Sequence, residues 1–289
     1  MLRAMIRYGA YPLIVGSAFA ALVTGATLGW SYWPMFPLIA AMGLITVAAL
    51  ERIAPYEPMW LQDHGDLVTD LLHNLVNLTV VVVTVEALYW LRTRVGYGGI
   101  WPVSSSVILQ VLLAGAVIDV GLYAMHRLSH TNEFLWRLHA THHSAERLYW
   151  LNGERRHPLS AVALAAPGIT AVVAMGAPPV VIAAWLTLLT VHLGFQHANL
   201  DYRLGPLRRW LGVAEIHRWH HKREFEDAQV NFGEFWMVWD RLFGTFHDQP
   251  AQIHADDVGL RDTAFPRSYW RQLAWPFRSR VRDSDRSMS

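Results

Sequence analysis

Long apolar stretches separated by short polar segments occupy the chain from its start to about residue 195. A stretch of about 20 apolar residues is long enough to cross the roughly 30 Å hydrocarbon core of a bilayer as an α-helix. Six stretches reach or approach that length, at residues 11–30, 37–50, 71–91, 107–125, 159–175 and 178–195. The pattern therefore predicts an all-α, polytopic membrane helix bundle with about four to six transmembrane spans.

The composition supports a membrane protein. Of the 289 residues, 53% are hydrophobic and only 16% are charged, and the mean hydropathy is positive. The formal net charge of +1 gives no indication of a nucleic-acid partner. The chain has no cysteine, which excludes disulfides, thiolate metal sites, cysteine nucleophiles and cysteine-bound iron–sulfur clusters. Any metal must therefore be held by nitrogen and oxygen ligands.

Histidines are concentrated in three short motifs. An HxxxH motif ends the fourth predicted span, and HxxHH occurs twice after it. A single histidine is more often a helix cap or a core residue. Residues three or four apart in a helix, however, share one face, so each motif can direct its imidazoles to one point. Eight imidazoles exceed what one tetrahedral or octahedral ion accepts, which predicts two metal ions. The predicted ligands are His126, His130, His139, His142, His143, His217, His220 and His221.

Together with the later segment WDRLFGTF at residues 239–246, these three motifs resemble the fatty acid hydroxylase / sterol desaturase superfamily. The resemblance covers roughly residues 60–247. It implies an integral membrane enzyme with two Fe ions, and it adds His157 and His197 as candidate ligands because the family has lone histidines at such places. Further residues would support the ligands from outside the metal sphere: Asn152, Arg155, Asp227 and Asn231.

An acidic residue lies within the fourth predicted span. Asp119 is two helical turns before His126 and on the same face. An acid inside a span is costly and indicates a functional role. Two interpretations are open: a hydrogen bond to a neighbouring helix, or support of a ligand imidazole from outside the metal sphere. For His73 and His192 we expect polar contacts rather than metal binding.

The positions of basic residues predict the orientation. With the N-terminus in the cytoplasm, six spans leave only Arg92 and Arg94 of the 24 lysines and arginines on the outer side, as the positive-inside rule requires. The three histidine motifs and both termini are then cytoplasmic, and the motifs form a histidine-rich di-metal cap. The predicted organisation is membrane anchor helices at 1–60, a fatty acid hydroxylase-like catalytic domain at 61–247, and a polar, interfacial or disordered tail at 248–289.

The activity that the resemblance implies is O2-dependent hydroxylation or desaturation of a lipid C–H bond, in an acyl chain or a sterol-like lipid. Such a reaction needs two external electrons. The chain has no flavin, haem or ferredoxin motif, so we expect a separate reductase with a ferredoxin or cytochrome b5-like carrier. The residues do not separate hydroxylation from desaturation, and they do not identify the lipid.

Other classes of metal-binding protein remain open alternatives. A metal transporter or sensor would place its ligands near the bilayer midplane in discontinuous helices, and a di-haem cytochrome would need histidine pairs on facing spans. A third alternative is a family member that binds metal only as a structural element. The absence of HExxH, GxSxG and P-loop motifs argues against a zinc protease, a serine hydrolase and a nucleotide hydrolase.

Overall fold

The computed structural model describes residues 1–96 and 99–278. Within these ranges the regular structure is helical, and β-pairing is limited to isolated bridges. The all-α prediction is confirmed; the predicted tail beyond residue 278 lies outside the described residues. The helices are α1 (Leu2–Thr27), α2 (Tyr32–Ile53), α3 (Leu67–Val95), α4 (Val107–Thr131), α5 (Glu133–His143), α6 (Pro158–Met175), α7 (Pro179–His197), α8 (Ala214–His220), α9 (Val238–Phe243) and α10 (Tyr269–Ala274).

Six of these helices are long and apolar enough to cross a membrane, namely α1, α2, α3, α4, α6 and α7. They correspond one to one with the six predicted stretches, so the polytopic bundle is confirmed. The predicted ends differ most at the start of α1, which begins at Leu2 rather than at residue 11, and at the end of α4. The α4 helix extends to Thr131 and α7 to His197, because backbone hydrogen bonding continues past the residue at which the apolar pattern stops.

Successive spans run in opposite directions, so the first described residues and the last ones, up to Arg278, lie on the side that carries the histidines. On this side the Arg203 N–H donates to the carbonyl of Arg7 at 2.7 Å, and the Asp201 N–H donates to that of Ala54 at 3.0 Å. On the opposite side the Ile100 N–H donates to the carbonyl of Met175 at 2.8 Å. The segments that follow α2, α4 and α7 therefore form one cap over one end of the bundle.

The helices α4 and α6 cross at a pair of glycines. A Cβ atom on Gly168 would lie 2.6 Å from the Cα of Ile118, and one on Gly121 would lie 2.7 Å from the backbone nitrogen of Gly168. Small residues allow membrane helices to approach this closely, where van der Waals packing supplies much of the association energy. This contact fixes the position of α4, whose last two turns carry His126 and His130.

Replacing Gly168 by leucine is expected to lower the free energy of unfolding by about 1–3 kcal/mol, because backbone atoms of α4 occupy the space that the new side chain needs. Gly16 is the matched control, since a Cβ there meets no atom within 4 Å. Denaturation of both leucine variants in detergent would test this. Equal stability of the two variants would contradict the close crossing.

The cap and the bundle form one packed unit. Phe235, in the segment between α8 and α9, packs its ring 4.8 Å from that of Trp185 in α7. On the opposite flank, His73 of α3 donates to the Gln272 side chain of α10 at 2.8 Å, as expected for a polar contact. The segment 248–278, predicted as part of a tail, therefore contributes a helix that packs on the bundle. The predicted anchor helices α1 and α2 also pack directly against α7.

Candidate metal centre

Nine buried histidines lie together where α4, α5, α7 and α8 meet at the cap end of the bundle. They form two groups, and within each group the potential ligand nitrogens all lie within 4.8 Å of one another. The five-histidine group comprises His126, His130, His139, His143 and His220. The four-histidine group comprises His142, His197, His217 and His221.

Helical spacing explains how each motif divides between the groups. Residues four apart share a face, so His139 and His143 of α5 enter the five-histidine group together. His142 lies one position aside and enters the other group. The second HxxHH divides in the same way, because His217 and His221 share one group while His220 joins the first. The two groups are thus in contact; the rings of His143 and His221 stack at 4.8 Å.

The nitrogen positions fit metal ions. Nitrogen ligands lie about 2.0–2.1 Å from a divalent ion, so two ligands of one ion are about 3.0–3.4 Å apart at octahedral or tetrahedral angles. Four pairs of Nε2 atoms have this spacing: His130 and His143 at 3.1 Å, His142 and His197 at 3.3 Å, His197 and His217 at 3.1 Å, and His217 and His221 at 3.1 Å. The all-nitrogen donor set suits iron, zinc or copper.

Several imidazole nitrogens have no hydrogen-bond partner although they are buried. They are Nε2 of His126, both nitrogens of His139, Nδ1 of His217 and Nε2 of His220. Unpaired buried polar atoms are costly, and a metal ion would satisfy those that point into the groups. Burial also lowers the pKa well below its usual value for His139, His142, His143, His217, His220 and His221. These imidazoles are therefore neutral at pH 7, the form that binds metals.

Backbone carbonyls orient four of the rings. In each case Nδ1–H donates to a carbonyl oxygen, which leaves Nε2 as the ligand atom and fixes the ring plane. The pairs are His126 with Phe232 (2.8 Å), His220 with Val230 (2.8 Å), His197 with Leu193 (3.0 Å) and His142 with Arg155 (3.3 Å).

Two side chains hold the loop that supplies the Val230 and Phe232 carbonyls. Asn231 donates from Nδ2 to the carbonyls of Ile216 and His247, and its backbone has φ of 55°. Asp240 accepts from the backbone N–H groups of Phe232 and Gly233 at 2.8 and 2.7 Å. Asp240 belongs to the WDRLFGTF segment, so this contact gives that segment a role that the sequence did not predict.

Asp119 supports the same loop from the membrane side. Its carboxylate accepts from the backbone N–H groups of Phe235 and Trp236, at 2.8 and 3.1 Å, and from the indole of Trp239 at 2.9 Å. The sequence left two interpretations open, a hydrogen bond to a neighbouring span and a hydrogen bond to a ligand histidine. The Asp119 carboxylate makes neither of these bonds in the described structure. Asp119 therefore supports the histidine groups indirectly: it holds the loop that carries Phe232, and the Phe232 carbonyl accepts from His126.

A buried ion pair positions the end of α5. The guanidinium of Arg155 bonds to Asp70 of α3 and also donates to the Thr141 carbonyl at 3.3 Å. Asn152 and Tyr149 complete the surroundings of Asp70, with the tyrosine hydroxyl donating at 2.6 Å. Asn152 and Arg155 were both predicted as supporting residues. Neither side chain contacts an imidazole in the described structure, but the Arg155 backbone does, through its carbonyl on His142.

A second buried ion pair was not predicted. Arg156 donates to both carboxylate oxygens of Glu234 at 3.0 and 3.2 Å, and Glu234 Oε1 lies 3.6 Å from Nδ1 of His126. Nothing in the local sequence pairs these two residues, which are far apart along the chain. The only signal is that each adjoins a motif: Arg156 precedes His157, and Glu234 follows the NFG segment.

The structure does not bring His157, a predicted ligand, together with the other histidines. This residue lies outside both groups; its Nδ1 accepts from the Leu159 N–H at 3.1 Å as the N-terminal cap of α6. Its Nε2 donates to the Leu273 carbonyl at 3.2 Å. Both ring nitrogens of His157 are thus hydrogen-bonded within the fold, and the histidines that the structure brings together number nine.

Asp227 is also not brought to the site. Its carboxylate is exposed and pairs with Lys222 at 2.6 Å on the surface of the cap, because the residues after α8 turn outward before returning at Asn231.

His192, in contrast, is buried close to the groups but is held by Tyr11 at 2.7 Å and by two backbone carbonyls. It makes polar contacts, as the sequence predicted.

A six-span bundle with two adjacent all-histidine groups at one end defines a multi-pass membrane protein with a candidate two-metal site. The fatty acid hydroxylase family matches residues 111–245, a range that contains all nine histidines. The chain is also 31% identical over 259 residues to ornithine lipid hydroxylase OlsE of Rhizobium tropici, covering 84% of this chain and 75% of that protein. The chain therefore belongs to the fatty acid hydroxylase family, as its motifs predicted.

Other relatives match only about half of this chain. Human alkylglycerol monooxygenase is 31% identical over 136 residues, and the Danio rerio protein of the same name is 32% identical over 145 residues. These matches cover 47% and 49% of this chain but only 30% and 31% of the relatives, so the chain spans less than a third of those proteins. No solved structure matches the chain.

Proposed function

We propose that the protein is an O2-dependent oxidoreductase that binds two Fe ions and hydroxylates a lipid C–H bond. The observation that carries this proposal is the pair of all-histidine groups at the mouth of an apolar helix bundle. The family match and relatives named as a lipid hydroxylase and a lipid monooxygenase support it. Desaturation is the alternative outcome of the same C–H attack, and an acyl chain is the proposed position.

The protein contributes orientation and exclusion of water. Bound iron would supply O2 activation and the capacity to oxidise an unactivated C–H bond. The nine imidazoles are each at most 4% exposed, so bulk water is kept from the centre. Four rings are held by carbonyl acceptors that fix their Nε2 atoms toward the groups. Such preorganisation allows a site to work without rearranging its ligands.

The lipid and the electrons would reach the centre from different directions. The ligand-bearing ends of α4 and α7 continue directly from membrane-spanning helices, so a lipid can approach from the bilayer. The two electrons would come from a separate reductase with a ferredoxin or cytochrome b5-like carrier that docks on the cap. We propose that the cap is cytoplasmic, since Arg92 and Arg94 are the basic residues that end α3 on the opposite side.

Metal analysis combined with product analysis tests this function. Protein purified in detergent and loaded with ferrous iron should retain about two irons per chain, and with reductase, carrier, isotopically labelled O2 and membrane lipids it should form a lipid bearing one labelled hydroxyl. An alkene without label would establish desaturation instead. Retained metal with no oxidised lipid under these conditions would overturn the oxygenase proposal in favour of a metal-binding membrane protein.

A further inference from the structure

Two separate segments of the cap pair with each other on the flank of the bundle. These paired cap segments comprise residues 205–213 and 233–243. The Gly212 N–H donates to the carbonyl of Phe235 at 2.9 Å, and the Met237 N–H donates to that of Trp210 at 3.0 Å. Because backbone hydrogen bonds join them in both directions, the two segments form one unit.

The paired cap segments extend from the histidine side into the depth of the membrane-spanning helices. The backbone N–H groups of Phe235 and Trp236 donate to Asp119 of α4, seven residues before His126. At a helical rise of about 1.5 Å per residue, this contact lies about 10 Å from His126 toward the opposite end of the bundle. The apolar stretch of α4 continues past Asp119 to residue 125, so Phe235 and Trp236 lie at the depth of the hydrocarbon.

The α7 helix satisfies the irregular backbone of these segments. Nε2 of His192 donates to the carbonyls of Gly212 and Glu234, each at 3.0 Å. Nε2 of Gln196 donates to the carbonyls of Gly233 and Glu234 at 3.2 and 2.7 Å. Non-helical backbone is tolerated at membrane depth only where protein groups take up its hydrogen bonds. The two buried polar residues of α7 therefore allow the paired cap segments to lie inside the bilayer region.

The outer face of the paired cap segments is apolar. Leu207, Trp210, Leu242 and Phe243 are each at least 50% exposed. A contiguous exposed face of large apolar side chains indicates a contact with another apolar surface. The ring of Phe243 stacks on that of Tyr123 in α4 at 5.5 Å, so this face adjoins a membrane-spanning helix directly.

Arginines occur at the edge of the apolar face. The Arg241 guanidinium lies over the rings of Trp210 and Phe246, at 4.7 and 5.2 Å, and it forms no ion pair with the residues that the structure describes. The Arg209 side chain is 61% exposed, whereas the Asp248 carboxylate, 3.9 Å away, is largely covered. The charge that this edge presents to its surroundings is therefore positive.

We propose that the paired cap segments insert into the bilayer leaflet on the histidine side and that Arg209 and Arg241 bind the phosphate groups of anionic phospholipids there. Apolar side chains at the hydrocarbon boundary, with tryptophan and arginine beside the head groups, are typical of interfacial segments. A guanidinium binds phosphate through two parallel charged hydrogen bonds. The contact with Asp119 favours lipid over a soluble protein as the occupant, because it places the segments at hydrocarbon depth.

The lack of cysteine in the chain allows single-cysteine variants to test the insertion. The full-length protein is placed in vesicles of phosphatidylcholine and phosphatidylglycerol that include a lipid with a nitroxide on its acyl chain. A fluorophore on Leu242→Cys is expected to be quenched at least about threefold more than one on Glu226→Cys, since nitroxide quenching needs contact with the acyl region. Leu242 and the Glu226 side chain are equally exposed, at 69%, so solvent exposure alone does not distinguish them.

Val82→Cys, on the outer surface of α3, is the positive control and should be quenched as strongly as Leu242→Cys. Quenching of Leu242→Cys that only equals that of Glu226→Cys would overturn the insertion. Such a result would assign the apolar face to a partner outside the bilayer, a soluble protein or a second copy of the chain.

Native mass spectrometry of the full-length protein in detergent tests the head-group preference. The wild type is expected to bind phosphatidylglycerol at least about tenfold more tightly than phosphatidylcholine with the same acyl chains. The double variant Arg209→Gln/Arg241→Gln should lower this ratio at least about fivefold. The matched double variant Arg261→Gln/Arg267→Gln changes two exposed arginines elsewhere on the cap and should keep the wild-type ratio.

Two outcomes would overturn the assignment of the arginines: equal binding of the two lipids by the wild type, or an equal loss of preference in both double variants. Neither experiment requires turnover or bound metal. The proposal therefore stands or fails independently of the proposed lipid oxidation.

Discussion

Replacing His139 by alanine is expected to remove one of the two proposed metal ions and to abolish the proposed lipid oxidation. His139 belongs to the five-histidine group, and both of its ring nitrogens lack any protein partner, so the imidazole has little other role in the fold. His217→Ala should remove the other ion from the four-histidine group. Loss of a direct ligand should weaken metal binding by more than the 10–100-fold typical of losing an outer partner, that is by at least about 100-fold.

The metal content per chain, measured by elemental analysis after dialysis against a weak chelator, checks both variants. His254→Ala is the matched control because this histidine is exposed on the cap, and His157→Ala should likewise retain both ions. If either single ligand variant lost both ions, the two groups would behave as one cluster. Full retention in His139→Ala would contradict the site as described.

Arg155→Leu is expected to lower the free energy of unfolding by about 3–5 kcal/mol, because it leaves the fully buried Asp70 carboxylate without its cation. The substitution also removes the bonds to Thr141 and Ser144 that hold the end of α5. The His142 ring should then lose part of its orientation. The measurement is denaturant unfolding in detergent, followed by the metal content of the folded protein.

A double variant identifies the cause of that loss. Adding Asp70→Asn removes the uncompensated charge while an acceptor for the Tyr149 hydroxyl remains, so part of the stability should return. Arg267→Leu is the control, since its pair with Glu146 is exposed and worth about 0–1 kcal/mol. A loss in Arg155→Leu no greater than in this control would show that the buried pair contributes little.

The two experiments test features that the sequence predicts to different degrees. The six spans follow from apolar stretches of membrane length, and the ligand motifs follow from spacing within single helices. Both signals are local. The supporting contacts are not: Phe232 and His126, or Arg156 and Glu234, are separated by a complete helical hairpin or more.

The resemblance to the family indicated segments of the chain that lie near the histidine groups. It did not indicate which residues in those segments contact the histidines or the backbone that orients them. Asn231 lies between the two carbonyls that orient His220 and His126, whereas Asp227, four residues earlier, pairs with Lys222 in solvent. His157 and His197 looked alike as lone histidines. The first caps α6, whereas the second ends α7 within the four-histidine group, because α7 packs directly against α8.

The sequence by itself determined an all-helical membrane bundle and a histidine-rich cluster, since hydrophobic length and helical periodicity are properties of single segments. Only the tertiary structure decided how the nine histidines divide, with His142 and His143 in different groups. This grouping depends on how helices cross, and crossing is set by distant contacts such as that of Gly121 with Gly168.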